Sequence, residues 1–144
     1  MPKKSPSAGT CDAIRCGAAY IYSGTGGVYA APQRIASQVP AEGDFFGTAA
    51  AVSAGRVLVA SVGDDVGGAN AGAAYLFERS GAAWTPAQAL RAAAPQAGAL
   101  FGSSVALGPV LALTGEPRRD RANPDEGAVH AYADDERLFA DGFE

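Results

Sequence analysis

Residues 17–22 have the sequence Gly-Ala-Ala-Tyr-Ile-Tyr, and this stretch decides the fold because it returns twice. Residues 72–77 are Gly-Ala-Ala-Tyr-Leu-Phe, and residues 127–132 are Gly-Ala-Val-His-Ala-Tyr. Each copy begins 55 residues after the one before it. A fixed period of this order is typical of proteins built from repeated structural units.

The repetition extends outward from this stretch through the whole period. Residues 17–71 align with residues 72–126 without a gap, and 13 of the 55 positions are identical. Phe46-Gly47 aligns with Phe101-Gly102, and Tyr29 aligns with Trp84. One register holds through turns and apolar segments alike, which indicates a duplicated structural unit with equivalent surroundings for equivalent residues.

The spacing of glycine and proline within the period predicts strands rather than helices. Alanine favours helices, but glycine or proline recurs every few residues, and the short segments between them contain β-branched and aromatic residues. One period predicts four antiparallel strands, at residues 46–52, 57–62, 72–77 and 83–90, separated by turns at 54–55 and 81 and by a loop at 63–71.

Four short strands per repeat are what one blade of a β-propeller requires. The predicted fold class is therefore all-β, a partial β-propeller with about two four-stranded antiparallel blades. The 33 alanines and 19 glycines of the 144 residues allow neighbouring sheets to approach closely. The aromatic side chains predicted to fill the wider gaps are Tyr20, Tyr22, Tyr29, Phe45, Phe46, Tyr75, Phe77, Trp84 and Phe101.

These residues resemble the FG-GAP repeat of integrin alpha subunits and of many bacterial extracellular proteins. Phe46-Gly47 and Phe101-Gly102 match its first element, and residues 115–117, Gly-Glu-Pro, are similar to its Gly-Ala-Pro. The counterpart at residues 60–62, Ala-Ser-Val, departs from that element. The resemblance implies a seven-bladed propeller in an intact family member, an extracellular or cell-surface location, and recognition of a protein or a glycan.

The period divides the chain into three parts. Residues 1–16 are expected to be the remnant of a preceding blade loop, residues 17–132 the repeat region, and residues 133–144 a C-terminal tail. Within the repeat region the units are 17–71, 72–126 and a partial unit at 127–132. Propellers close with about four to eight blades, so closure within these residues is excluded. A fragment is the favoured explanation; the terminal blades of a larger domain and a ring completed by several chains stay open, and the open blade faces predict self-association.

Charge and hydropathy exclude two classes of partner. The net charge is −4 and the isoelectric point about 4.9, and the only lysines are Lys3 and Lys4. We therefore expect no nucleic-acid binding. No apolar run reaches the roughly 18 residues of a membrane helix. The first ten residues lack the apolar segment of a signal peptide, so the chain is either cytosolic or part of a longer exported protein, and the repeats favour the second.

The loop at 63–71 contains the candidate metal ligands. Asp64, Asp65 and Asn70 are weak candidates for calcium, because the alternating carboxylates of a calcium loop are missing. The interpretation that we favour is a solvated turn whose side chains bond to the local backbone. The loop that follows Gly115 places arginines beside its acids, which disfavours calcium there as well.

Cys11 and Cys16 are the only cysteines. Their spacing does not fit a zinc site, and the alternatives are a disulfide and two unpaired thiols. His130 is the only histidine, and because it aligns with Tyr20 and Tyr75 we expect it to pack rather than to catalyse.

The predicted function is a non-enzymatic repeat module of a secreted or surface protein, without a cofactor, that mediates protein or glycan binding or adhesion. The alternatives are a structural spacer and an accessory propeller fragment of a larger secreted enzyme.

Overall fold

The structure is a computed structural model, and it describes residues 16–37, 41–53, 55–120 and 122–133. The described residues contain eleven strands and no helix. Consequently none of them belongs to a helix long and apolar enough to cross a membrane. The predicted all-β class is confirmed.

The first element is a hairpin in which two broken strands pair with each other. β1 pairs antiparallel with β4, and β2 pairs with β3 around the turn at residues 26–27. The strands are β1 (Ala19–Ile21), β2 (Gly24–Thr25), β3 (Val28–Tyr29) and β4 (Gln33–Ile35).

The second element is a complete four-stranded antiparallel sheet in the order β5-β6-β7-β8. Its strands are β5 (Phe46–Ser53), β6 (Arg56–Ser61), β7 (Ala73–Ser80) and β8 (Ala83–Leu90). Each predicted strand of the period is present, and the last one has the predicted bounds. This sheet is the predicted blade.

The third element is a three-stranded sheet in the order β11-β10-β9, within the described part of the chain. Its strands are β9 (Ser104–Leu107), β10 (Leu111–Glu116) and β11 (Ala128–Ala133). The described chain thus holds one complete blade between two partial ones, and no closed propeller.

The backbone repeats at the predicted spacing of 55 residues. Gly17 forms an isolated parallel bridge with Phe46, and Gly72 forms the same bridge with Phe101. The φ angles of these glycines are 81° and 87°, and a Cβ on either would lie 2.1 Å from a phenylalanine carbonyl oxygen. The Gly that begins each of the first two copies of the motif is therefore required by a left-handed backbone and a close approach of two chain segments.

Two apolar clusters hold the three elements together. The first joins the hairpin to the four-stranded sheet through Ala19, Ile21, Ile35, Phe46, Val57, Val59, Ala73, Tyr75, Phe77 and Trp84. The second joins the four-stranded sheet to the three-stranded one through Leu58, Ala74, Leu76, Leu90, Ala92, Phe101, Val105, Leu107, Ala112 and Tyr132. Ile35, Phe46 and Phe77 of the first cluster correspond to Leu90, Phe101 and Tyr132 of the second, so one type of blade interface occurs twice.

The predicted packing of aromatic side chains is only partly correct. Phe46, Tyr75, Phe77 and Phe101 are buried, and Trp84 packs against the first cluster. The remaining four, Tyr20, Tyr22, Tyr29 and Phe45, are exposed.

Tyr20 and Tyr75 show the physical reason. Tyr20 pairs with Arg34 and Tyr75 with Ala89, so their register is equivalent, but Tyr20 is 52 % exposed and Tyr75 only 5 %. The hairpin covers Tyr75, whereas no described sheet covers the corresponding face of the hairpin. The expectation of equivalent surroundings is therefore correct for the backbone and wrong for these side chains.

Candidate functional site

The long loops of the repeat meet at one end of the stacked sheets. These loops connect β4 to β5, β6 to β7, β8 to β9, and β10 to β11; we call their common location the loop end, and the opposite end the hairpin end. The amide of Gly63 donates to the carbonyl of Asp44 at 2.9 Å, and 55 residues later the amide of Arg118 donates to the carbonyl of Ala99 at 3.2 Å. The same backbone contact therefore joins the loops in both copies.

Asp64, the first calcium candidate, is fully buried and has partners within the protein. Its Oδ1 accepts a hydrogen bond from the Val66 amide at 3.0 Å. Its Oδ2 accepts one from the Tyr75 hydroxyl and lies 3.4 Å from Nη2 of Arg91. A guanidinium at this distance neutralises the carboxylate and repels a cation.

Asp65 and Asn70, the other two candidates, close their own loop. The amide of Asn70 donates to Oδ1 of Asp65 at 2.7 Å, and Asn70 has a φ of 54°. Asparagine tolerates this left-handed conformation better than most residues. These contacts match the turn interpretation, in which the side chains bond to the local backbone.

The arrangement of these side chains does not fit an oxygen cage for calcium. Among the described residues no three His, Cys, Asp or Glu side chains converge on a common point suited to a metal ion. Calcium binding by Asp64, Asp65 and Asn70 stays a prediction, which calorimetric titration with and without a chelator would decide.

Arg91 and Tyr75 complete the polar cluster around Asp64. Nη2 of Arg91 donates to the Tyr75 hydroxyl at 2.9 Å, and the guanidinium carbon lies 5.6 Å from the centre of the tyrosine ring. Burial, and secondly the hydrogen bond to Asp64, raise the pKa of Tyr75 to about 12. Tyr75 therefore stays protonated at neutral pH and serves as a donor.

Asp44 is a buried acid beside this cluster that sequence reasoning missed. Its Oδ2 accepts a hydrogen bond from the Ala41 amide at 3.0 Å, and its Oδ1 is buried without a hydrogen-bond partner. Burial, and then the charge of Asp64, raise the pKa of Asp44 to about 6. Its counterpart in the next unit is Ala99, so the repeat provides no signal for an acid here.

The second copy builds a different polar cluster at the same place. Glu116 is fully buried at the end of β10. Its Oε2 lies 2.6 Å from Nε2 of His130 and 3.3 Å from Nη1 of Arg119. Burial, and then the charge of Glu116, raise the pKa of Tyr132.

His130 packs as the alignment with Tyr75 suggests, but it also has a polar partner. Its ring lies 5.1 Å from the ring of Phe101 at an angle of 49°. The contact with Glu116 was not predicted, because the aligned residue of the first unit is Ser61.

Cys16 connects the start of the described chain to the same region. It is buried and disulfide-bonded, and its carbonyl accepts a hydrogen bond from the Phe46 amide at 2.9 Å. Cys11, the candidate partner, lies outside the described residues, so the pairing itself stays a prediction.

Antiparallel sheets of short strands, one of them a complete four-stranded blade, repeat at a fixed spacing and are joined by loops at one end, which defines a β-propeller-type repeat module. Residues 32–77, which include β5, β6 and the motif at 72–77, match the family model of the FG-GAP repeat. The chain accordingly contains an FG-GAP repeat at residues 32–77, and the predicted resemblance is confirmed. Neither the curated proteins nor the solved structures contain a match to it.

Proposed function

We propose that this chain is a non-enzymatic recognition module of a secreted or surface protein, and that its loop end binds a protein or a glycan. The proposal is supported by one observation above all: two loops of the repeat share one backbone but differ in their side chains.

The shared backbone is visible in the hydrogen bonds of the two loops. The amide of Gly72 donates to the carbonyl of Asp64 at 3.0 Å, and the amide of Gly127 donates to the carbonyl of Arg119 at 2.9 Å. The bond from the Asn70 amide to Asp65 likewise recurs as a 2.7 Å bond from the Asp125 amide to Asp120. A rigid scaffold of this kind holds the ends of each loop in place whatever its side chains are.

The side chains differ in charge. Asp64 of the first loop corresponds to Arg119 of the second, and Gly63 corresponds to Arg118. Arg118 and Asp125 are exposed, at 61 % and 56 % of their side-chain surface. Loops of variable chemistry on a constant scaffold are the usual location of binding residues, and exposed arginine is a frequent contributor to binding energy.

Two further observations agree with this proposal. Disulfide-bonded Cys16 is typical of a protein from an oxidising compartment. His130, the only histidine of the chain, is engaged by Glu116 and stacked on Phe101, which favours a structural role over catalysis.

The experiment is a binding screen with a matched pair of arginine variants. The fluorescently labelled chain is applied to a glycan array and to immobilised extracellular-matrix proteins, and the strongest binder is titrated. We expect Arg118→Ala at the loop end to weaken binding at least about tenfold. Arg79→Ala, which removes an exposed arginine at the hairpin end, should leave it unchanged. The proposal is contradicted if the chain binds neither the glycans nor the proteins, or if Arg79→Ala weakens binding and Arg118→Ala does not.

A further inference from the structure

The two outermost sheets each leave one apolar face without a described neighbour. On the hairpin this face carries Tyr20, Tyr22 and Tyr29, all exposed, and we call it the tyrosine face. On the three-stranded sheet the corresponding face carries Leu113, Val129 and Ala131, which we call the aliphatic face; Val129 is 71 % exposed.

Every residue of the tyrosine face is the repeat counterpart of a residue packed in the first apolar cluster. Tyr20 and Tyr22 correspond to Tyr75 and Phe77, both buried, and Tyr29 corresponds to Trp84. By position, the tyrosine face is a blade face without a partner among the residues that the structure describes.

The aliphatic face has the same relation to the second cluster. Its three residues, Leu113, Val129 and Ala131, correspond in turn to Leu58, Ala74 and Leu76, which are all buried. This face is therefore also built for packing against another sheet.

The two interfaces within the chain show which face packs on which. In the first, Ala19 and Ile21 pack against the cluster that contains Tyr75 and Phe77; in the second, their counterparts Ala74 and Leu76 belong to the cluster against which Tyr132 packs. One more step of the repeat would place Val129 and Ala131 against an aromatic pair in the positions of Tyr75 and Phe77. Tyr20 and Tyr22 have those positions, and they lie at the other end of the same chain.

We propose that two copies of this chain associate head to tail, with the aliphatic face of one copy packed on the tyrosine face of the other. The contact continues the interface that the chain already contains twice. It is heterologous, because the two faces differ, so each copy retains one free face for a further copy. The proposal goes beyond ligand binding at the loop end and does not depend on it.

Complementation between two variants tests the proposal. Val129→Glu places a charge on the aliphatic face, and Tyr22→Glu places one on the tyrosine face; both positions are exposed, so folding should be retained. Sedimentation velocity over a series from low micromolar to sub-millimolar concentration should show oligomers of the unaltered chain. Each variant alone should associate at least about tenfold more weakly, and their equimolar mixture should form dimers but nothing larger.

The controls and the contradicting results are equally specific. Val66→Glu introduces the same change at an exposed valine of the loop end and should associate like the unaltered chain. Thermal unfolding of each variant checks that it is folded. The proposal is overturned if the unaltered chain is monomeric throughout, if either variant alone still dimerises like the unaltered chain, or if mixing restores no dimer. A variant that dimerises alone would instead indicate a symmetric contact between two like faces.

Discussion

The two copies of the repeat each bury a carboxylate at the loop end, but they take it from different elements. In the first copy the loop residue Asp64 supplies the acid and Arg91, beyond β8, supplies the cation. In the second copy strand residue Glu116 supplies the acid, and the loop residue Arg119, which is the counterpart of Asp64, supplies the cation. The backbone therefore provides the same location for a charged pair in both copies. The elements that supply the negative and the positive side chain differ between the copies.

The two clusters differ in their aromatic residue as well as in their acid. The Tyr75 hydroxyl donates to Asp64, and its counterpart His130 lies 2.6 Å from Glu116. Because a buried polar group without a partner is costly, a change at one of these positions requires a compensating change at another. In each copy the aromatic position therefore carries a polar partner for the buried acid.

Removal of the acid is expected to have the largest effect on each cluster. Glu116→Ala leaves Arg119 and His130 mostly buried without their carboxylate, and we expect a loss of about 3 kcal/mol in the free energy of unfolding. Asp64→Ala should cost about 2 kcal/mol, because Arg91 is more exposed than Arg119 and keeps its bond to Tyr75. Urea denaturation followed by fluorescence measures both.

The repeat offers a rescue variant for the same experiment. The triple substitution Glu116→Ser, Arg119→Asp and His130→Tyr copies Ser61, Asp64 and Tyr75 into the second cluster without a counterpart of Arg91, so that a hydroxyl again donates to a carboxylate. We expect it to recover part of the loss caused by Glu116→Ala. If the triple variant is less stable than Glu116→Ala, the two clusters are not interchangeable and the comparison fails.

Asp44, which only the first copy contains, gives that copy a pH dependence. The folded chain raises the pKa of this carboxyl from 3.8 to about 6 through burial and the charge of Asp64. The folded state therefore holds a proton that the unfolded state has already lost, so stability decreases as the pH rises from about 4 through about 6. We expect the contribution to be about 1–2 kcal/mol.

Asp44→Ala, which introduces the residue found at position 99, isolates this contribution. The difference in unfolding free energy between the variant and the unaltered chain should shift in favour of the variant between about pH 4 and about pH 7. Thermal and urea unfolding at several pH values measure it. Parallel pH profiles of the two proteins would show that Asp44 titrates normally.

Most of the fold could be predicted from the sequence because the fold is encoded locally and twice. Gly17 and Gly72 mark the left-handed approach to Phe46 and Phe101, and glycine at 26 and 81 marks the hairpin turns. The number of strands in the complete blade and the bounds of β8 could be predicted from the positions of such turn residues. The exposure of Tyr20 and Tyr22 did not, since burial depends on the neighbouring sheet rather than on the residues themselves.

The polar clusters could not be predicted for a related reason. A comparison of aligned residues identifies what two copies share, whereas Asp44, Arg91 and Glu116 are positions at which the copies differ. One signal was available, because Ser61 and Tyr75 correspond to Glu116 and His130, so that both residues differ between the copies. Only the pairing of β10 with β11 brings Glu116 and His130 together. The pairing of Asp64 with Arg91 joins residues 27 positions apart across the blade, and no local pattern indicates it.

The smallest expected effect concerns the exposed pair of the second loop. Nε of Arg118 lies 3.3 Å from Oδ1 of Asp125, and both side chains are more than half exposed. Water and salt screen such a pair, so Arg118→Ala should change the free energy of unfolding by less than about 0.5 kcal/mol. Denaturation of this variant beside Glu116→Ala compares the exposed pair of Arg118 and Asp125 with the buried pair of Glu116 and Arg119. A loss as large as that of Glu116→Ala would mean that the loop's backbone depends on Arg118, and would contradict the assignment of this residue to binding rather than to stability.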